Sequence, residues 1–94
     1  MKFEWDPKKA AANMRKHGVG FDEARTVFED EEALLLPDPD HSIGEERAVL
    51  LGLSVALRAR VVVHCERYDG NVIRLISARK ADPHERQLYA ARRS

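Results

Sequence analysis

The sequence predicts an α+β fold, an antiparallel meander sheet with two short helices before it and one helix after it. Two observations carry that reading. Residues 46–79 hold three apolar runs rich in β-branched residues, joined by links (Ser54–Ala56 and Arg67–Asn71) too short for a crossover helix. The segments on either side show helical spacing with clear end signals instead. Ninety-four residues predict one domain spanning 1–94, with a core that buries only about 60–65% of the unfolded chain's surface.

Lys2–Trp5 reads as a short strand, closed by Asp6-Pro7, a helix N-cap followed by a first-turn proline. A helix over Pro7–His17 follows. Lys16 and His17 suit the negative end of its dipole, and Gly18 can take the left-handed cap. Ala10, Ala11, Met14 and His17 fall in one stripe, with Lys8, Lys9, Arg15 and Lys16 largely outside it. Phe21, Ala24, Val27 and Phe28 then mark one face of a second short helix, 21–29.

After the acidic clump Glu29–Glu32, Ala33–Leu36 reads as a short strand, and Pro37–Glu45 as a flexible loop opening on Pro37-Asp38-Pro39-Asp40. Strands are expected at Glu46–Ser54, Leu57–Glu66 and Val72–Arg79. In the middle one, alternation separates Leu57, Ala59, Val61, Val63 and Cys65 from Arg58, Arg60, Val62, His64 and Glu66, so the first set should pack and the second carry chemistry. The last helix, Pro83–Ala91, opens on a capping box in which Asp82 caps and Glu85 stands three residues on.

The stretch Val72–Asp82 is the most informative. A core strand runs straight into Arg79-Lys80 and then into a helix start, with no glycine to loosen the chain. Cations on so rigid a support suggest an anionic ligand.

Net charge is zero, but residues 1–20 carry +3, residues 21–47 carry −8 and residues 58–94 carry +5. If the two basic segments meet in space, one face of the molecule attracts phosphate. No run of 18 apolar residues exists and the N-terminus lacks the apolar segment of a signal peptide, so a cytoplasmic protein without membrane contact is expected. The one cysteine, Cys65, excludes an internal disulfide and reads as a small strand residue rather than a nucleophile.

Five pieces in one order resemble BrnT-like toxins: Phe3-Glu4-Trp5-Asp6; Lys16-His17-Gly18-Val19 with Phe21 and Glu23-Ala24; Gly44-Glu45-Glu46-Arg47; Glu66-Arg67; and Ile76-Ser77-Ala78-Arg79-Lys80-Ala81. The chain departs from that pattern at Gly20, where a serine commonly caps, and at His64-Cys65, where a small polar residue commonly precedes Glu-Arg. The resemblance spans nearly the whole chain. It implies a RelE-like fold and a ribonuclease that cuts RNA without the ribosome, inhibiting translation and growth. It also implies a BrnA-like antitoxin whose DNA-binding part brings the complex to its operator for autoregulation, and it leaves open a homodimer within that complex.

RNA can be cut without a metal or cofactor if its 2′-hydroxyl is deprotonated, the phosphorane stabilised and the 5′-oxygen protonated. Arg79 and Lys80 are the cationic candidates, since a guanidinium grips phosphate bidentately and an ammonium acts as a point charge; the bland alternative is a surface ion pair with Glu85 or Asp82. His17, Glu66 and Glu46 are candidates for proton transfer, a histidine being able to give or take a proton near neutral pH. Arg47, Arg67, Lys9 and Lys16 are candidates for RNA binding. Pairing of the strands would put Glu46-Arg47 and Glu66-Arg67 at one end of the sheet, however, and Arg79 at the other. His64 and Glu66 at i, i+2 could contribute to a metal site but lack further ligands at usual spacing, so none is expected. The acidic stretch Glu29–Asp40 could receive a cationic antitoxin segment or cover the basic face. Two other functions stay open: a RelE-like module without catalysis that only binds its antitoxin and represses, and a small nucleic-acid-binding regulator acting alone.

Overall fold

The computed structural model describes residues 1–38 and 47–93. Along the chain run β1 (Lys2–Glu4), α1 (Pro7–His17), α2 (Phe21–Ala24) continuing as a 3-10 helix (Arg25–Glu29), β2 (Leu34–Pro37), β3 (Ala48–Leu53), β4 (Ala59–Arg67), β5 (Val72–Lys80) and α3 (Pro83–Arg93). The five strands form one sheet in the order β1-β5-β4-β3-β2. Strands β3 to β5 are the expected antiparallel meander, β2 extends it by pairing antiparallel with β3, and β1 adds in parallel to the outer edge of β5.

Two layers of apolar side chains use the two faces of this sheet. On one, Leu50, Val62, Ile73, Leu75 and Ala78 pack with Val19, Phe21, Ala24 and Val27 from α1's exit, α2 and the 3-10 helix. On the other, Leu51 and Val61 pack with Ala81 and Tyr89 of α3 and its approach. Both faces of β4 are therefore covered over much of their length, and the division into a packing set and a chemical set fails. Val62 is fully buried, Arg60 is tied to Glu23 by Nε at 3.1 Å, and His64 stands edge-on to Phe28. Among the described residues no helix is long and apolar enough to cross a membrane.

The ends of α1 fall where capping chemistry puts them. Asp6 accepts a hydrogen bond from the Lys8 N–H at 2.9 Å, and Gly18, at φ 69°, donates to the Met14 carbonyl. Its buried stripe differs from expectation, running through Ala10, Asn13 and His17, while Met14 is 51% exposed. The reason is that Asn13 finds three backbone partners in the core. The second helix is tighter than expected beyond Ala24. Thr26 donates its hydroxyl to the Glu23 carbonyl at 2.6 Å, a side-chain bond that competes with the α-helical ladder, and Gly20 supplies no side-chain cap.

The expected strand start at Leu57 also fails. The hairpin from β3 to β4 has no glycine, so Leu57 itself takes the left-handed conformation (φ 61°) and strand pairing resumes at Ala59. Most of the expected Pro37–Glu45 loop, from residue 39 onward, lies outside the described residues.

Asp30, hidden in the acidic clump, is a structural node. Its carboxylate accepts from the Glu32 and Leu53 N–H groups and from the Tyr89 hydroxyl at 2.5 Å, joining the 3-10 helix, β3 and α3. Burial, which alone would raise the Asp30 carboxyl, is outweighed by these donors and by Arg93, and the group sits below the usual carboxylate range. Burial first, and then the bond to Asp30, push the Tyr89 hydroxyl up to about 12.

Gly52 lies under this node, where a Cβ would stand 2.9 Å from Ala33 Cβ and 3.0 Å from Asp30 Oδ2. Gly52→Ala is expected to cost about 1–3 kcal/mol by overpacking, read from urea unfolding. Tyr89→Phe should cost about 1.5–3 kcal/mol near neutral pH, the worth of a hydrogen bond to a charged group. Because the folded hydroxyl titrates higher than the unfolded one, that advantage of the native chain is complete below pH 10 and shrinks as pH climbs toward 12. Unfolding curves of both proteins across that range would show the gap closing.

Candidate functional site

β5 carries the site, and its pairing with β4 decides what faces where. Val63 pairs with Ser77 but His64 pairs with Leu75, so Ile76 is an extra, unpaired residue. Strict alternation would send Arg79 to the same side as Ile73 and Leu75, into the α1–α2 core. The bulge reverses the sides beyond it. Ala78 now joins Ile73 and Leu75 in that core, and Arg79 faces α3.

There the guanidinium meets a prepared partner. Arg79 donates Nη1 to Glu85 Oε1 and Nη2 to Glu85 Oε2, each at 2.8 Å, and Nη1 also reaches the Lys80 carbonyl at 3.3 Å. Glu85 is itself held by the capping box expected of this helix start. It accepts from the Asp82 N–H at 2.9 Å while its own N–H donates to Asp82 Oδ1 at 2.8 Å. The hydrogen bonds from Arg79 hold the Glu85 carboxyl below its ordinary range, and the same bonds raise the guanidinium above its own. Arg79 nonetheless keeps 43% of its side chain exposed.

Asn13 fastens α1 to this end of β5. Its Nδ2 donates to the Val19 carbonyl at 2.9 Å and the Ala78 carbonyl at 2.8 Å, and its Oδ1 accepts from the Ala78 N–H at 3.1 Å. The last turn of α1, with exposed Lys16 and half-buried His17, therefore lies beside the Arg79–Lys80 end of the strand. Lys9, also exposed, stands toward the other end of that helix.

The remaining expected site residues do not gather around Arg79. Lys80 is exposed and, as Arg79's neighbour in the strand, is turned to the opposite face. Val61 is opposite Arg79 and Glu66 opposite Ile73, which separates Glu66 from Arg79 by about 17 Å and Arg67 by about 20 Å along β4. The difficulty foreseen from strand pairing is present in the register. Glu66 faces the helix side, lining a depression of about 480 Å³ with His64, Leu35, Ala48, Asp69 and Gly70. His64 there is almost wholly buried, and burial lowers its tendency to protonate.

Arg67 follows Cys65 on the α3 side of the sheet, at the end far from α3. It lies 3.5 Å from Glu4 Oε2, to which Arg74 Nη1 donates at 2.7 Å, and its guanidinium stands over the Tyr68 ring. That hydrogen bond to Glu4 raises the Arg74 guanidinium. Arg47 is half-buried just before β3. Glu46 lies outside the described residues.

The sheet face that α3 only half covers thus carries Arg79 at one end and Arg67 with Arg74 at the other, a basic track that can meet more than one phosphate of a strand. Sequence reasoning passed over Arg74, which stands inside an apolar run. It also missed Asn13, a polar residue in a stripe of alanines, and it had Glu85 only as a cap and a surface partner.

Residues 5–85 match the model of a family described as the ribonuclease toxin, BrnT, of type II toxin-antitoxin systems. A solved structure, the 1.1 Å crystal structure of the Brucella abortus ribonuclease toxin BrnT, has the same fold. The TM-score is 0.67 at 24% identity, over 87% of this chain and 97% of that one. No curated protein sequence matches the chain.

Asn13→Ala should leave two carbonyls and one N–H buried without partners and cost about 2–4 kcal/mol, measured by urea unfolding. Asn13→Asp should not restore the loss, since a carboxylate cannot donate to the Val19 and Ala78 carbonyls.

Proposed function

Because the chain belongs to the BrnT family of ribonuclease toxins of type II toxin-antitoxin systems, with RNA as substrate and an antitoxin as partner, we propose that Arg79 is its phosphate-binding catalytic residue. The observation that carries this is a half-exposed guanidinium held rigid at a strand-to-helix junction, on the open side of the sheet. In the proposed reaction the 2′-oxygen attacks the adjacent phosphorus as its proton passes to a base. The bond to the 5′-oxygen breaks, and that oxygen takes a proton from an acid. The products are a 2′,3′-cyclic phosphate and a 5′-hydroxyl. Arg79 neutralises the charge that grows on the non-bridging oxygens. His17, in the turn of α1 beside this end of β5, is the proposed proton-transfer group. Glu66, at the far end of the sheet, is the weaker candidate. Arg67, Arg74 and Arg47 hold neighbouring phosphates.

The remainder of the proposal is that the single domain cuts free RNA in the cytoplasm, without ribosome or metal, and thereby arrests translation. A BrnA-like antitoxin neutralises it and carries the pair to operator DNA. The pairing of Arg79 with Glu85 favours one other reading, in which the arginine is a staple and the chain is a non-catalytic subunit of a repressor.

Arg79→Ala is expected to lower cleavage of a single-stranded RNA at least about a hundredfold in the presence of EDTA. Stability should fall by less than about 1 kcal/mol, the usual worth of an exposed ion pair. His17→Ala should slow the reaction without weakening RNA binding. Cleavage at the normal rate by the folded Arg79 variant would reject the assignment. A folded wild-type chain that binds its antitoxin but never cuts RNA would establish the repressor reading.

A further inference from the structure

Glu85 presents two opposed readings. It could block the guanidinium until RNA displaces it, or it could aim the guanidinium at the phosphate. The atoms in contact decide between them. Arginine has five N–H donors arranged along two usable edges, the end formed by Nη1 and Nη2 and the side formed by Nε and Nη2. Glu85 takes the end, one oxygen on each Nη, and the Lys80 carbonyl takes a further Nη1 hydrogen. The Nε–H and the second Nη2–H have no acceptor among the described residues. They form an unused fork of the kind that binds phosphate bidentately.

We propose that Glu85 is a positioning residue for RNA cleavage. From its own fixed place in the capping box it grips the end of the Arg79 guanidinium and presents the Nε–Nη2 edge to the scissile phosphate. This rests on the assignment of Arg79 to the phosphate. The carboxylate is suited to the task because it is immobile. The Asp82 N–H holds one of its oxygens, and the backbone that bears it is pinned by Asp82 Oδ1 at the first turn of α3. A flexible four-bond side chain thereby has both its root, in β5, and its tip fixed before substrate arrives. A bound phosphate would complete the planar group's donors rather than compete for them.

The test compares Arg79→Ala, Glu85→Gln and Val27→Ala with the wild type, each freed from its antitoxin, on a defined single-stranded RNA bearing a fluorophore and quencher. Glutamine keeps the length and one acceptor oxygen, so the bond from the Asp82 N–H survives. Its amide nitrogen, however, faces Nη2 donor to donor and opens the fork. Glu85→Gln should lower kcat about tenfold or more and change KM less than threefold, with little change in melting temperature. Val27→Ala, which opens a cavity in the core layer on the opposite face of the sheet and leaves Arg79, Glu85 and Asp82 in place, should lower the melting temperature and leave kcat within about twofold. That pair of results separates aiming from mere stabilisation.

If Glu85→Gln leaves kcat unchanged while Arg79→Ala is dead, the positioning role is overturned and the assignment of Arg79 stands. If Glu85→Gln raises kcat/KM, the carboxylate is a plug and the proposal is equally overturned. An Arg79→Ala protein that cuts normally would bring down the underlying assignment, and the role of Glu85 with it.

Discussion

One unpaired residue, Ile76, sets the face on which the Arg79 end of β5 stands. Between Val63–Ser77 and His64–Leu75 the ladder skips it, and every side chain of β5 beyond that point changes sides. Without the skip, Arg79 would point into the layer formed by Val19, Phe21, Ala24 and Val27, where a lone guanidinium would be desolvated without a partner. With it, alanine at position 78 fills the core and arginine at 79 meets α3. The bulge also explains how a strand of such continuous apolar character ends in two cations without exposing a hydrophobic edge on either side.

A bulge adds freedom as well as a turn of face, and the structure removes that freedom at once. Asn13 satisfies both main-chain groups of Ala78, two residues past Ile76, and ties them to Val19 at the end of α1. All three acceptor and donor demands at this point are met by a single amide, and only one orientation of that amide can meet them. The strand is thus clamped from its outer edge by a helix, where β1, which pairs only as far as Arg74, no longer protects it. Core packing, strand edge and site geometry share one side chain. A polar group in the core is tolerated there because it is fully bonded.

How much of this could be read from the chain follows from how local each signal is. The bounds of α1 were legible because Asp6, Pro7 and Gly18 act on their own neighbours, and so was the start of α3 with Asp82 and Glu85. The order of strands β3 to β5 followed from short links. The bulge was not legible, since Leu75-Ile76-Ser77 contains no glycine or other mark of irregular pairing. The register follows from the fit of both sheet faces against helices at once. Nor were the partners of Asn13, Glu23 and Asp30, which lie 65, 37 and 59 residues away along the chain in Ala78, Arg60 and Tyr89. The segregation of charge was legible, but its meaning was partly different. Glu23 neutralises Arg60 and Asp30 receives Tyr89, so part of the acidic segment is consumed as structure rather than displayed.

The energetics of Arg79 and Glu85 argue that their contact exists for geometry. An ion pair with 43% of the arginine side chain exposed contributes less than about 1 kcal/mol to stability. The hold of α3 on the sheet has better sources in Tyr89 and Ala81 against Leu51 and Val61, and in the bond from Arg86 to the Ala81 carbonyl at 2.8 Å. Freezing an arginine costs up to about 2 kcal/mol of rotamer entropy, so the fork returns little net stability to the fold. What it does achieve is that the cost is met during folding. If Arg79 takes the phosphate as proposed, an arginine already immobile when RNA arrives spends none of the binding energy on its own ordering, and catalysis by a fixed charge depends on that pre-organisation.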